Sequence, residues 1–395
     1  MRTKLRPLPG VVFRERTQPL APTREFARAL LGSVGPVTAE MVTKGGGRYA
    51  AGDVAGVSGL QRQYDEQLAG TPGTVVEAVS EGDPRTLYEV AATTGKPLAL
   101  TLATDVQEAA DRALQDLDQP AALVAVSVQT GAVLAVANSP ATGLDRALVG
   151  RYPPGSTFKV VTTLSLLGKG LRADDRVECP QTATVDGRTF RNFEAEQFGA
   201  VPFRTDFARS CNTAFVGLSP RLDADDLRRT AASTGIGVDY DALGTDAFSG
   251  SVPATTSDVD KAAASFGQGR VLVSPLAVAV STASVARGGY LPPTLVDTGA
   301  TAPTAKALDD GDVTTLRSLM RSVVTDGTGT ALRDVDGGEV RAKTGTAEFG
   351  TDDPPRTRAW ITGWQGDVAF AVLVEEGASG GTVAGPVAAR FLRGL

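Results

Sequence analysis

The chain has 395 residues, 42% of them hydrophobic and 21% charged, enough for two or three domains with a sizeable buried core. Acidic residues outnumber basic ones, 45 to 39, and no Lys/Arg-rich run tracks along the sequence, which argues against nucleic acid as a partner. Histidine is absent, so Ser-His-Asp and Cys-His catalysis are excluded and only lysine is left to activate a serine, while two cysteines cannot build a thiolate zinc site.

The first residues, Met1-Arg2-Thr3-Lys4-Leu5-Arg6, run into Pro7 and Pro9 rather than into a signal-peptide apolar region. No apolar run approaches the roughly 18 to 20 residues that span a bilayer. Residues 1–95 are rich in Gly, Thr, Arg and Glu with short apolar pieces near 26–31 and 52–64, which reads as a small α+β domain of two short helices and a few strands. No catalytic constellation falls there. From Pro97 the pattern tightens: 98–102 reads as a strand, and Thr104 with Gln107 three residues on reads as a capping box for a helix running to Leu117. Runs 121–128 and 132–137 flank Gln129-Thr130-Gly131 and read as an antiparallel hairpin.

Tyr152-Pro153-Pro154-Gly155 then signals a turn, and Phe158, Val161 and Leu164 follow at helical spacing. Ser156 therefore sits where a turn becomes a helix. Residues three apart share a helix face, which brings Lys159 within reach of the Ser156 hydroxyl while first-turn N–H groups stay unpaired. A nucleophile, a base and oxyanion donors can meet in that turn. Beyond it the signals are mainly helical, at 223–232, 274–286 and 312–324. Strands return at 358–364 and 368–374 around Gln365-Gly366-Asp367, and a last helix covers 384–392. Cys179 and Cys211 read as small buried thiols, with no disulfide assigned.

Ser156-x-x-Lys159 alone is a weak signal. It is followed in order by Ser210-Cys211-Asn212 and by Lys343-Thr344-Gly345-Thr346, and the three together form the signature of penicillin-recognising serine enzymes. The chain resembles a class B penicillin-binding protein from about Pro97 to its end, and more loosely over 52–68, where the pedestal of such proteins leads to the catalytic domain. The resemblance implies an α+β fold: an antiparallel sheet sandwiched by helices, an inserted mainly helical subdomain, and a small N-terminal α+β pedestal, with 1–95 as pedestal and 96–395 as transpeptidase domain.

It further implies serine acyl transfer on D-alanyl-D-alanine stem peptides of peptidoglycan, with β-lactam antibiotics trapped on Ser156. Lys159 would act as base, Ser210 as proton relay and Asn212 as holder of Lys159 and the substrate amide. Lys343, Thr344 and Thr346 would bind the terminal carboxylate, Gly345 would let substrate lie close, and the N–H groups of Ser156 and Thr346 would form the oxyanion hole. No cofactor and no metal are implied; a glycosyltransferase of the cell-wall machinery is an implied partner. The site of action would be the extracytoplasmic face of the bacterial membrane, with the anchor outside this chain. Alternatives are a D,D-carboxypeptidase, a β-lactam sensor and a division-complex scaffold. No glutamate occurs from 197 to 338, which argues against a class A β-lactamase. Glu348 reads as a rim charge, Trp360 and Trp364 as buried sheet aromatics, and Arg270, Asp352 and Asp353 as solvated.

Overall fold

A five-stranded antiparallel sheet is assembled from two widely separated stretches of the chain, 121–139 and 341–374. The computed structural model describes residues 21–79, 83–297, 299, 304–350 and 355–395, so Asp352, Asp353 and the Met1 to Arg6 segment lie outside the described residues. Strands β1 (Ala121–Ser127) and β2 (Val133–Ser139) come early, and β3 (Arg341–Phe349), β4 (Arg356–Gln365) and β5 (Val368–Val374) come late. Their spatial order is β3-β4-β5-β1-β2. The helices that cover the sheet or carry the site are α1 (Thr104–Leu114), α2 (Lys159–Leu167), α3 (Phe203–Arg209), α4 (Asn212–Leu218), α5 (Pro275–Arg287), α6 (Asp310–Thr325) and α7 (Gly385–Arg393).

Strand β1 is buried along its whole length and apolar up to Ser127, because it is an inner strand with both faces covered. Side chains alternate across a strand, so Ala122, Val124 and Val126 join the core under α5, and Leu123 and Ala125 join the core under α1 and α7. Each fully buried Val or Leu contributes about 1.5 to 3 kcal/mol of burial free energy. The hairpins at 121–137 and 358–374 are formed as the alternation and turn residues predict, with Gly366 at φ 54°.

Three local expectations are corrected. Thr104 does not cap α1: the cap position is Ala103, without a side-chain bond. Gln107 turns inward instead, donating to Val136 O at 3.0 Å and accepting from Val136 N at 2.7 Å. Strand β2 is an edge, its outward backbone groups need partners, and a fully buried amide supplies them. Residues 98–102 form no strand. Leu100 makes an isolated bridge to Val296, and Thr101 donates from N to Leu295 O and from Oγ1 to Val133 O and Thr294 O, so its hydrogen bonds scatter among segments. The inserted region also contains β structure, with Arg176–Cys179 paired to Gly199–Pro202 and Thr182–Val185 paired to Arg188–Arg191.

Among the described residues the N-terminal part holds four short helices, where two are expected, together with two antiparallel ribbons. Tyr64 and Gln63 side chains both donate to Gly244 O, at 2.6 and 2.9 Å, and Ala27, Leu30 and Leu60 join the main core.

Candidate active site

A 3₁₀ turn, Gly155–Phe158, carries Ser156 and runs straight into α2. Gly155 has φ 52°, and a Cβ there would lie 2.6 Å from Thr346 O. Glycine alone lets this turn lie against β3. From the strand side, a Cβ on Gly345 would meet Pro154 O and Thr157 Cγ2, both at 2.9 Å. What Gly345 admits in this structure is therefore the turn bearing Ser156.

Among the described residues no hydrogen bond joins Ser156 Oγ to Lys159 Nζ. Lys159 Nζ is drawn across to the second motif, donating to Asn212 Oδ1 at 2.7 Å, Ser210 O at 2.8 Å and Ser210 Oγ at 3.4 Å. Three oxygen partners thus surround Nζ. Lys343 Nζ donates to the same Ser210 Oγ at 2.8 Å and to Thr344 O at 3.0 Å. Ser210 Oγ thus takes up both its lone pairs with lysines and keeps its own proton to donate.

Both lysine side chains are fully buried. Burial holds Lys159 well below the usual lysine range, and the neighbouring Lys343 charge lowers it further. Burial alone brings Lys343 down to about 7. The aromatic floor is supplied by α3 and α4: Lys159 Nζ lies 5.0 Å from the Phe215 ring centroid and Lys343 Nζ 5.7 Å from that of Phe207.

Ser210 caps α3 in the left-handed region, φ 63° and ψ 36°. Asn212 begins α4, and its Nδ2 donates to Arg191 O at 3.1 Å. The residue that fixes this corner is Asn192, which no motif in the sequence singles out. It is buried; its Oδ1 accepts from Asn212 N at 2.8 Å and Thr213 N at 3.0 Å, and its Nδ2 donates to Glu196 O at 2.8 Å and Pro180 O at 2.9 Å. Nothing in the sequence spacing signals it.

Cys179 and Cys211 form a disulfide, where two thiols are expected from the sequence. Strand Arg176–Cys179 and the cap of α4 meet in a dry contact, with the Cα atoms 6.2 Å apart, inside bridging range. The middle residue of the Ser210-Cys211-Asn212 motif is thereby tied to a ribbon 32 residues away.

The cleft in front of these groups encloses about 680 Å³ and is lined by Ser156, Ser210, Asn212, Thr344, Gly345 and Thr346, among others. Strand β3 is the edge strand, so backbone groups on its free side face this cleft. Thr344 Oγ1 hydrogen-bonds Thr328 Oγ1, and Thr346 Oγ1 accepts from Gly380 N at 3.3 Å. Thr328, also unsuspected, follows a glycine-bearing turn after α6 and has no local signature. Glu348 lies on the rim and pairs with Arg191 at 3.3 Å. Trp360 and Trp364 are buried in the sheet as expected, and Arg270, rather than being merely solvated, is paired with Asp260.

Residues 121–393 match the family model described as penicillin binding protein transpeptidase domain, and residues 1–100 the one described as penicillin-binding protein dimerisation domain. The chain is 30% identical over 400 residues to the peptidoglycan D,D-transpeptidase PbpA of Mycolicibacterium smegmatis, covering 84% of this chain and 78% of the relative. Over 297 residues it is 32% identical to PbpA of Mycobacterium tuberculosis, 66% of this chain and 58% of that protein. A solved structure of penicillin-binding protein A from M. tuberculosis, a ceftriaxone acyl-enzyme complex, matches with a TM-score of 0.68 at 27% identity, covering 76% of this chain and 80% of the other. With a family model matched over 121–393 and the dimerisation model ahead of it, the chain belongs to the penicillin-binding protein transpeptidase family, in its class B arrangement.

Proposed function

We propose that the chain is a serine D,D-transpeptidase of peptidoglycan synthesis that works through an acyl-enzyme on Ser156. The observation that carries this reading is the shared hold of Lys159 and Lys343 on Ser210 Oγ, beside a cleft that Ser156 lines. Lys159, whose proton affinity is lowered by burial so that it gives up a proton more readily, takes the Ser156 proton as Oγ attacks the carbonyl of the penultimate D-alanine. The developing oxyanion lies at the N–H groups of Ser156 and Thr346. Lys159 passes the proton by way of Ser210 Oγ to the leaving nitrogen as the C–N bond breaks, and D-alanine departs.

Lys343, Thr344 and Thr346 bind the terminal carboxylate, and Asn212 holds Lys159 and the substrate amide. An amine from a neighbouring stem peptide then resolves the ester. β-Lactams acylate the same oxygen; the M. tuberculosis neighbour was itself solved as an acyl-enzyme with ceftriaxone. Residues 1–95 form the pedestal and 96–395 the catalytic domain. Action on the extracytoplasmic face of the membrane fits the Cys179–Cys211 disulfide, and a glycosyltransferase is the expected partner. No described helix is long and apolar enough to cross a membrane.

The test is intact-protein mass spectrometry after incubation with benzylpenicillin, for the wild type and Ser156→Ala. A lasting adduct on the wild type alone is expected. Absence of any adduct would overturn the reading. Incubation with a stem peptide and an amine acceptor separates a cross-linked product from the hydrolysed one of a D,D-carboxypeptidase.

A further inference from the structure

Behind the lysine pair lies a charge that the mechanism above does not use. Asp206 sits on α3, one helical turn before Ser210, and its backbone O accepts from Cys211 N at 2.9 Å. Its side chain is fully buried, and neither carboxyl oxygen has a hydrogen-bond partner among the described residues. A carboxyl oxygen lies within 4.8 Å of both disulfide sulfurs, which are poor hydrogen-bond partners and keep water away. A dry carboxyl without hydrogen-bond partners costs stability even when neutral, and a purely structural site would be better served by an apolar residue.

The charged groups acting on Asp206 are Lys159 from α2 and Glu178 from strand Arg176–Cys179. Strand Gly199–Pro202 and helix α6 also pack against α3, and among the described residues neither presents a charge that acts on it. The influence on Lys159 is mutual, since Asp206 raises the proton affinity that burial and Lys343 depress.

We propose that Asp206 is a positioning residue for the proton on Lys159, supplying through space the countercharge that the lysine needs as it takes the Ser156 proton. The inference rests on the acyl-enzyme reading. In the step itself the proton moves from Ser156 Oγ to Lys159 Nζ, the Oγ–C bond forms, and Asp206 exchanges no atom. As a carboxylate it stabilises the nascent ammonium; as a neutral acid it does not. Burial raises its carboxyl to about 7, with Lys159 pulling it down and Glu178 pushing it up, so the countercharge appears as pH rises through neutrality.

Stopped-flow benzylpenicillin acylation of the whole chain across pH tests this, with the acylation rate constant k2 resolved from the binding constant K. Lys343 acts on both constants, on K because it meets the β-lactam carboxylate and on k2 because its charge lowers the proton affinity of Lys159, so the contribution of Asp206 is read from the difference between the wild type and Asp206→Asn, which share Lys343. In the wild type k2 should rise through neutrality. In Asp206→Asn the rise should be smaller, leaving k2 about tenfold lower near pH 8 and close to wild type near pH 5.5, the equivalent of one pKa unit of interaction. Glu178→Gln, at an exposed position, should move the rise to lower pH because Asp206 then ionises more readily. An Asp206→Asn profile parallel to the wild type, or superimposed on it, overturns the proposal, and so does a Glu178→Gln rise that stays in place. Should Asp206→Asn fail to fold, Glu178→Gln decides alone. A wild type that takes no adduct at any pH overturns the acyl-enzyme reading and this one with it.

Discussion

Ser210 adopts φ 63° and ψ 36°, a left-handed conformation that costs a residue bearing a Cβ about 1 to 2 kcal/mol. Glycine would relieve the strain and lose the hydroxyl that both lysines hold, so stability is given up there for geometry. Lys343 makes the same exchange through its charge. Its folded value of about 7 lies below the ordinary 10.5, so between those pH values the unfolded chain binds the extra proton and stability rises with pH; below about 7 the full cost of the buried charge is present. Lys343→Met should therefore stabilise the protein near pH 7 by about 2 to 4 kcal/mol, with the gain shrinking towards pH 10, while abolishing β-lactam acylation. Urea unfolding of both proteins at several pH values checks it, and a gain that does not depend on pH would sink it. At this scale the grouping of Ser156, Lys159, Ser210, Asn212 and Lys343 around one cleft was legible from three motifs in order. Asn192 was not, because an amide satisfied by backbone groups of separate segments leaves no spacing to read.

The junction of α3 and α4 concentrates what the site demands of its elements. Helix α3 delivers Phe207, Asp206 and the Ser210 cap, α4 delivers Asn212 and Phe215, and the disulfide ties their joint to the ribbon at Arg176–Cys179. Closing a loop of 32 residues restricts the unfolded chain by about 3 to 4 kcal/mol. Cys179→Ala/Cys211→Ala should lose stability of that order, and dithiothreitol should lower the Tm of the wild type while leaving that of the double variant unchanged. A wild-type Tm indifferent to reductant would refute the disulfide. The sheet hairpins were visible in the sequence from their period-two alternation, as were α5 and α6 from helical spacing, with Ser274 and Asp309 capping them. The inserted ribbons escaped because their strands are four residues long, and Thr182–Val185 mixes exposed and half-buried positions.

For the whole molecule the governing fact is that β1 and β2 are separated from β3, β4 and β5 by the entire inserted region, yet β5 pairs with β1 over seven positions from Val368↔Ser127 to Val374↔Ala121. The domain closes on itself, and the cleft lies where the inserted helices meet the β3 edge. The N-terminal part touches this domain at few polar points, so a 96–395 fragment should fold and take benzylpenicillin at a rate within about threefold of the full chain, at a somewhat lower Tm because Leu30 and Leu60 no longer cover the core. An insoluble fragment, or one that takes no adduct, would show that the pedestal belongs to the catalytic fold. The reacting groups, the strands that carry the late motif and the sheet built from both ends all follow from the order of amino acids, because residue chemistry and periodicity are local properties. Folding in three dimensions was needed to bind Lys159 to Ser210 and Asn212, to close a bridge between two cysteines 32 residues apart, and to bury Asp206 with no hydrogen-bond partner for its carboxyl among the described residues, since each depends on which distant segment arrives beside it.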